Sequence, residues 1–323
     1  ASKAWAKALM AEAQIPTAEA RVFTDAASAI AYLQDQPLPI VVKADGLAAG
    51  KGVTVAPTRA AAIAAVEAVF EGQFGAAGHQ VVIEAYLTGQ EASVLAVTDG
   101  DTIVPLMPAQ DHKQIGEGDT GANTGGMGTY APTPVITPEI LDKVQEQILE
   151  PAIAQLKQRN IDYRGVLYAG LMISPEGEPT VIEFNCRFGD PETQVVLPLL
   201  ETPLEEVLLA CAEKRLASLP PLRWRGASAA CVVAAAGGYP DSYQKGMPIA
   251  GLDAAAAKGA LVFHAGTQLK GGRITASGGR VLGVTAVGET FDSALETAYA
   301  AITEIEFDTM YYRRDIGFRV RQS

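Results

Sequence analysis

Cysteine and histidine are scarce in this chain, with three of each among 323 residues. Cys186, Cys211 and Cys231 form no CxxC pair, and an odd number leaves no complete disulfide scheme. A reducing compartment, the cytoplasm, is therefore expected. The histidines show neither HxH nor HxxxH spacing, which removes a zinc centre as the organising feature. No GxSxG elbow is present and no Cys–His pair is suggested by spacing, so covalent nucleophilic catalysis is not indicated. Basic residues are outnumbered 25 to 37, a net charge of −12. That balance excludes a broad nucleic-acid footprint or attraction to an anionic membrane, but it leaves room for a local basic pocket that takes a small anion. No apolar run approaches the ~18 residues of a membrane span, and the start carries no signal-peptide pattern.

What is present is a well-populated core composition, 48% hydrophobic and 19% charged, which argues against disorder. The length suggests two domains or three small ones. The first residue is Ala1, and an apolar helical pattern follows at once. That is the pattern of a trimmed product or of the downstream part of a longer chain.

Local patterns set out the organisation. Ser2 caps a helix over 2–14 with Trp5, Ala8 and Leu9 on one side. Strands at 21–24, 40–43, 53–56 and 80–86 alternate with helices near 25–34 and 58–70, a compact unit of its own. Residues 91–97 and 102–107 read as a hairpin around Asp99-Gly100. Residues 110–134 read as a long irregular stretch, and a loop of that length in a compact domain is usually functional. Thr137 caps a helix opened by Pro138, with Ile140, Val144, Ile148 and Ala152 at fourfold spacing and a bend at Pro151. A second hairpin (166–173 and 180–185), a helix over 204–214, a boundary at Pro220-Pro221 and Arg225-Gly226, and a helix over 291–305 complete the outline.

Two tempting motifs fail on context. Gly116, Gly118 and Gly121 satisfy GxGxxG but lie inside the irregular stretch with no helix after them. Gly46–Gly52 resembles a P-loop with one residue too few, and Gly52 stands where Ser or Thr belongs. The segment keeps a physical meaning all the same. Lys43 ends an apolar strand, where a charge is costly unless it is paired or faces a cleft. Gly50-Lys51-Gly52 can close backbone N–H groups over phosphates. Read alone, it fits a surface hairpin with two solvated lysines equally well. In Val181–Asn185 the period of two sets Glu183 and Asn185 side by side, an oxygen pair suited to Mg²⁺. Alone, that pattern also describes a half-buried strand with a polar face. The charges of Arg187, Asp190 and Glu192 around Gly189 directly after it favour the functional reading. Asp111-His112-Lys113 forms a further cluster, with His112 expected as a hydrogen-bonding or structural residue.

Together these residues resemble the ATP-grasp ligases, and within them the glycinamide ribonucleotide synthetases (phosphoribosylamine–glycine ligases). The strings are SKAWAKALM at 2–10, VVKADGLAAGKGV at 41–53, VVIEAYLTGQEAS at 81–93 and QDHKQIGEGDTGANTGGMGTYAP at 110–132. GVLYAGLMI at 165–173, VIEFNCRFGDPETQ at 181–194 and YYRRDIGFR at 311–319 carry the match to the end of the chain. The resemblance implies an α+β ATP-grasp fold. Its parts are a central antiparallel-sheet domain (1–20 and 90–225), a small lid subdomain (21–89) and a C-terminal mixed α/β domain (226–323). The implied reaction phosphorylates the carboxylate of glycine with ATP. The amine of 5-phosphoribosylamine then attacks the acyl phosphate, giving glycinamide ribonucleotide, ADP and phosphate.

By the same resemblance, Lys3 and Lys43 reach the ATP phosphates, and Gly50, Lys51, Gly52 and Val53 close over them. Glu84 and the backbone at Leu87 hold adenine, and Glu91 holds ribose. Glu183 and Asn185 bind Mg²⁺ or Mn²⁺. Asp111, Lys113, Arg187 and Asp190 are the implied catalytic residues, with Asp119, Asn123, Thr124, Gly125, Gly126 and Met127 along the glycine and phosphoribosyl side. The expected protein is a cytoplasmic monomer with neither a nucleic-acid nor a membrane partner. The family carries an N-terminal α/β domain ahead of the 2–10 string that this sequence does not contain. A second expectation follows, that the chain is a nucleotide-binding fragment without ligase activity of its own. Another purine-pathway ATP-grasp ligase is the alternative enzyme, and the 110–132 string argues against it.

Overall fold

The structure is a computed structural model and describes residues 2–46, 52–73 and 75–321. The chain opens with α1 (Lys3–Glu12), and the Ser2 hydroxyl accepts the Trp5 N–H as the N-cap that the sequence predicts. Its buried side differs from the expectation. Trp5 and Ala8 are exposed, whereas Lys7, Leu9 and Met10 are buried. Trp5 lies instead under the Arg159 guanidinium, 5.0 Å from its ring centroid. Strand β1 (Ala20–Phe23), α2 (Ala26–Leu33), β2 (Ile40–Ala44), β3 (Val53–Ala56), α3 (Arg59–Phe70) and β4 (Val81–Ala85) follow as read. Asp25 and Thr58 cap α2 and α3. These strands form an antiparallel sheet of order β1–β4–β2–β3. Ala29 and Leu33 of α2 and Ala62, Val66 and Val69 of α3 share a core with Ile40, Val42, Val81 and Ile83.

The hairpin of β5 (Gln90–Thr98) and β6 (Ile103–Pro105) is as expected. The irregular stretch is not. It holds four short strands, β7 (Gln110–Asp111), β8 (Gln114–Gly116), β9 (Thr120–Asn123) and β10 (Gly128–Ala131). Strands of two to four residues are too short to show a period, so pairing, not pattern, creates them. Next come α4 (Pro138–Val144), a wide turn over Gln145–Leu149, and α5 (Glu150–Gln158). In the wide turn the Glu150 N–H reaches the Gln145 carbonyl, a five-residue step. Pro151 has no N–H, and its ring crowds the carbonyl four residues back, so the expected bend takes this form.

Strands β11 (Gly165–Ile173) and β12 (Pro179–Asn185) precede α6 (Thr193–Leu199), α7 (Leu204–Ala212) and β13 (Ser228–Ala236). Then follow α8 (Leu252–Ala257), β14 (Leu261–His264), β15 (Thr267–Lys270), β16 (Arg273–Ala276), β17 (Arg280–Gly288), α9 (Phe291–Ile302), β18 (Met310–Tyr311) and α10 (Phe318–Arg321). Neither α6 nor α8 is legible in the sequence; α6 contains Pro198 and has no side-chain cap.

Two compact units divide the chain. One comprises Ala1–Glu91, Thr137–Tyr163 and Ala169–Asn185, and the other Ala92–Ile136, Arg164–Tyr168 and Cys186–Ser323. Strands β5, β6, β11 and β12 pair in a sheet of order β12–β11–β5–β6. The second unit centres on a sheet of order β14–β17–β13–β10–β7, with β18 also on β13. β10 lies between β13 and β7, with Tyr130 opposite both Ala230 and Gln110. A core of Tyr130, Val232, Leu282, Val284, Leu295 and Ile302 joins this sheet to α9.

Candidate functional site

In the first unit three lysines converge on β2 and its surroundings. Asp45, just past β2, accepts the Ala4 N–H at 2.6 Å and the Ser2 hydroxyl at 3.1 Å, fixing the start of α1 there. Lys3 Nζ then donates to the carbonyls of Ala44 (2.7 Å) and Gly46 (3.0 Å). One helical turn on, Lys7 Nζ meets Thr17 Oγ1 (2.7 Å), the Ala18 carbonyl (2.9 Å) and Glu84 Oε1 (3.3 Å). Lys43 Nζ lies 2.7 Å from Glu84 Oε2 and 3.3 Å from the Ile182 carbonyl. Lys43 is 5% exposed and Glu84 4%, so one buried carboxylate serves two ammonium groups. Burial pushes the Lys3 and Lys7 pKa values down, against the opposing fields of Glu183 and Glu84 respectively. Ammonium groups held this way, short of counter-charge and desolvated, suit an anionic ligand.

Beyond Ile182 on the same strand, Glu183 is exposed and Asn185 half-buried, and the Asn185 amide donates to Glu183 Oε1 at 3.0 Å. That contact turns one amide and one carboxylate into neighbours, as the alternation predicts. Val181 on the same face is buried, however, so the face is polar only at its outer end. A carboxylate plus an amide oxygen is the partial shell Mg²⁺ takes from protein when phosphate and water complete it. The donor set therefore fits the expected metal. Among the described residues no group of three or more His, Cys, Asp or Glu forms a closed metal cage.

Gly52 is buried and its carbonyl accepts the Ala44 N–H at 2.8 Å, closing the β2–β3 hairpin with Lys43 opposite Val53. Gly50 and Lys51 lie outside the described residues. The Glu84 carboxylate is bound to the two lysines. Leu87 is half-buried past the end of β4, and Glu91 lies near the start of β5.

The second unit brings together most of the remaining candidates. Asp111 is buried at the end of β7, with Lys113 Nζ 3.5 Å from its Oδ2. Its Oδ1 is buried with no hydrogen-bond partner. The Lys113 carbonyl accepts both the N–H and the hydroxyl of Thr124, each at 2.7 Å, and Thr124 Oγ1 accepts the Gly126 N–H at 3.0 Å. Asn123 is exposed on β9 and accepts from Gln114, whereas Met127 is fully buried and belongs to the core. Arg187 is exposed and caps the Phe188 carbonyl; Asp190 accepts from Gln194 at 3.0 Å.

Asp119 is fully engaged. Its Oδ1 takes Arg313 Nη1 at 2.9 Å and His112 Nδ1 at 3.2 Å, and its Oδ2 takes Arg319 Nη2 at 2.5 Å. These partners hold its carboxyl well below the usual carboxylate range despite burial. His112 Nε2 accepts the Gly317 N–H at 2.9 Å, so its proton sits on Nδ1 facing Asp119. Burial, reinforced by the nearby arginines, pushes the His112 pKa down.

Sequence reasoning missed several partners. Lys7 could have been found from its place one turn after Lys3. Arg313 and Arg319 lie in the 311–319 string and received no role. Glu192, Ser93 and Tyr168 form a buried triangle with contacts of 2.8, 3.0 and 3.1 Å. Burial, with the Asp111 carboxylate nearby, raises the Glu192 pKa.

Comparison with known proteins places this geometry. Residues 1–193 match the family model "Phosphoribosylglycinamide synthetase, ATP-grasp (A) domain", and residues 229–319 match the C domain of the same family. A phosphoribosylamine–glycine ligase of Nostoc sp. is 65% identical over 321 residues, covering 99% of this chain and 76% of the relative. Its counterpart in Synechocystis sp. is 58% identical over 319 residues, covering 99% and 75%. The crystal structure of the Thermotoga maritima phosphoribosylamine–glycine ligase superimposes with a TM-score of 0.89 at 34% identity, covering 97% of this chain and 78% of that one. The biotin carboxylase domain of the Hydrogenobacter thermophilus 2-oxoglutarate carboxylase shares the fold alone, with a TM-score of 0.67 at 16% identity over 96% of this chain and 67% of that one.

Proposed function

The chain belongs to the phosphoribosylglycinamide synthetase family of ATP-grasp ligases, and on that premise we propose how its residues carry out the ligation of glycine to 5-phosphoribosylamine in purine biosynthesis. The family uses ATP. An oxygen of the glycine carboxylate attacks the γ-phosphorus, ADP leaves, and a glycyl phosphate forms. The amine nitrogen of 5-phosphoribosylamine then attacks the glycyl carbonyl carbon, the nitrogen loses a proton and phosphate departs.

Such a reaction asks the protein for position and charge, not for a covalent intermediate. The observation that carries the reading is the buried Lys7–Glu84–Lys43 arrangement beside the Glu183 strand. Lys3 and Lys43 hold phosphates, while Lys7 and Glu84 keep Lys43 in place. Gly52 and Val53, with Gly50 and Lys51, cover the nucleotide, and Leu87 and Glu91 take its adenosine part. Glu183 and Asn185 would hold Mg²⁺ or Mn²⁺, which offsets phosphate charge when bound. In the second unit the unpartnered Asp111 Oδ1 suits the amino group of glycine, with Lys113 balancing Asp111. Arg187, Asp190, Asn123 and the Thr124–Gly126 turn serve glycine and the phosphoribosyl group. Asp119 and Met127 act from behind them. Residues 226–323 form the C-terminal domain in this reading, residues 21–89 the lid, and 1–20 with 90–225 the central domain. The protein works as a cytoplasmic monomer. Among the described residues no helix is long and apolar enough to cross a membrane.

ADP release with glycine and freshly made 5-phosphoribosylamine tests the reading. Turnover by this chain is expected, and Glu183→Gln should abolish it while leaving the thermal transition in place. Binding of Mg-ATP without turnover would leave a nucleotide-binding fragment. Near-normal turnover by the Glu183→Gln protein would remove Glu183 from the metal site.

A further inference from the structure

Arg280 opens β17, far in sequence from the strings assigned to substrate. Its backbone is fixed on both sides, since its carbonyl accepts the Gly266 N–H at 3.0 Å and the residue pairs with Ala235 of β13. Its side chain reaches the two glycine turns of the second unit. Nη1 lies 2.7 Å from the Gly125 carbonyl, 2.9 Å from the Asp190 carbonyl and 3.3 Å from Asp190 Oδ1. One nitrogen, with two hydrogens, thereby joins the Thr124–Gly126 turn to the Gly189–Pro191 turn.

The fit is close on every side. A Cβ on Gly125 would stand 2.8 Å from Arg280 Cζ and 2.9 Å from Nη2, so the flat guanidinium lies against bare backbone. Gly126 has φ +115°, and a Cβ there would stand 2.5 Å from Pro191 Cδ. From another loop, the Tyr239 hydroxyl accepts the Gly125 N–H at 3.0 Å. The turn is therefore gripped at its N–H by Tyr239 and at its carbonyl by Arg280. Neither grip comes from the 110–132 string itself.

We propose that Arg280 is a positioning residue for the acceptor side of the ligase, holding the Thr124–Gly126 turn and Asp190 in one fixed relation, with Tyr239 as its second point of support. The planar fork matters because it combines two directed N–H groups with a flat face, which a lysine ammonium lacks. The kinetic part of this inference rests on the ligase reading; the geometric part does not.

The test is Arg280→Met and Arg280→Lys in the full chain, read by steady-state kinetics and by hydrogen exchange. Arg280→Met should raise KM for glycine or 5-phosphoribosylamine at least tenfold, leave KM for ATP within about twofold, and be partly rescued by Arg280→Lys. Exchange at the Gly125 and Gly126 amides should quicken at least tenfold, with Val232 on β13 unchanged. Equal losses for all three substrates, or unchanged exchange at Gly125 and Gly126, would overturn the proposal. If the wild-type chain turns nothing over, the ligase reading falls and exchange alone decides the positioning role. Should Arg280→Met fail to fold, Tyr239→Phe carries the same test, with a smaller KM change in the same direction and faster exchange at Gly125 expected.

Discussion

Glu84 answers two ammonium groups, so it is less replaceable than either lysine. Glu84→Gln should destabilise the protein by about 3 kcal/mol, because removing one partner leaves buried charge uncompensated. Lys7→Met should cost much less, since Glu84 keeps Lys43; urea unfolding of both variants checks the order. His112 makes a different prediction, about pH. In the folded protein its Nε2 accepts a backbone N–H and its pKa is depressed, so it stays neutral. In the unfolded chain it takes up a proton as pH falls through about 6.5. The unfolded state then binds more protons, and stability must fall with acid from there down to the depressed native pKa, by at most about 1.4 kcal/mol per pH unit. Asp119 adds nothing in this window, because its stabilising contribution is lost only below the ordinary carboxylate range. Denaturation at pH 7.5 and 5.5 should show the slope in the wild type and a flatter one in His112→Asn; equal slopes would remove His112 as its source.

Among the elements, β10 tests how tightly the second unit is built. A Cβ on Gly128 would stand 2.8 Å from the Cys231 carbonyl and 2.6 Å from Ile316 Cδ1. The side chain could yield, but the paired strand cannot, so Gly128→Ala should cost about 1–3 kcal/mol in thermal unfolding. The same strand marks the limit of what the sequence discloses. Helix starts were legible because Ser2, Asp25, Thr58 and Thr137 cap locally, and the longer strands alternate or run apolar. β7 and β10 were not, because β10 is set by its register with β13, far along the chain, and β7 by its pairing with β10. The candidate site divides in the same way. Lys43 and Glu183 could be singled out because a charge in an apolar strand needs a reason. Arg280 and Arg313 could not, since their partners are set by topology and not by spacing, whereas Lys7 shows only through its place one helical turn after Lys3.

For the molecule as a whole, ligand binding should register as stability. A nucleotide that binds only the folded state adds about 2.7 kcal/mol at a hundredfold excess over Kd. Saturating Mg-ATP should therefore raise the thermal midpoint, and more so in the wild type than in Glu183→Gln. The absence of any rise would sink nucleotide binding despite the family. A net charge of −12 does not oppose this, because the lysines concerned gather beside β2, Lys43 buried and Lys3 half-buried. The crossing of β10 into a sheet built from later strands also has a bearing on time. A ribosome adds about 5–20 residues per second. Asp119 must wait 194 residues for Arg313, roughly 10–40 s at that pace. Every described lysine and oxygen ligand assigned to ATP has by then left the ribosome, Asn185 being the last of them. A nascent chain thus acquires the means to hold its fuel well before it can shape the place where the amine is joined.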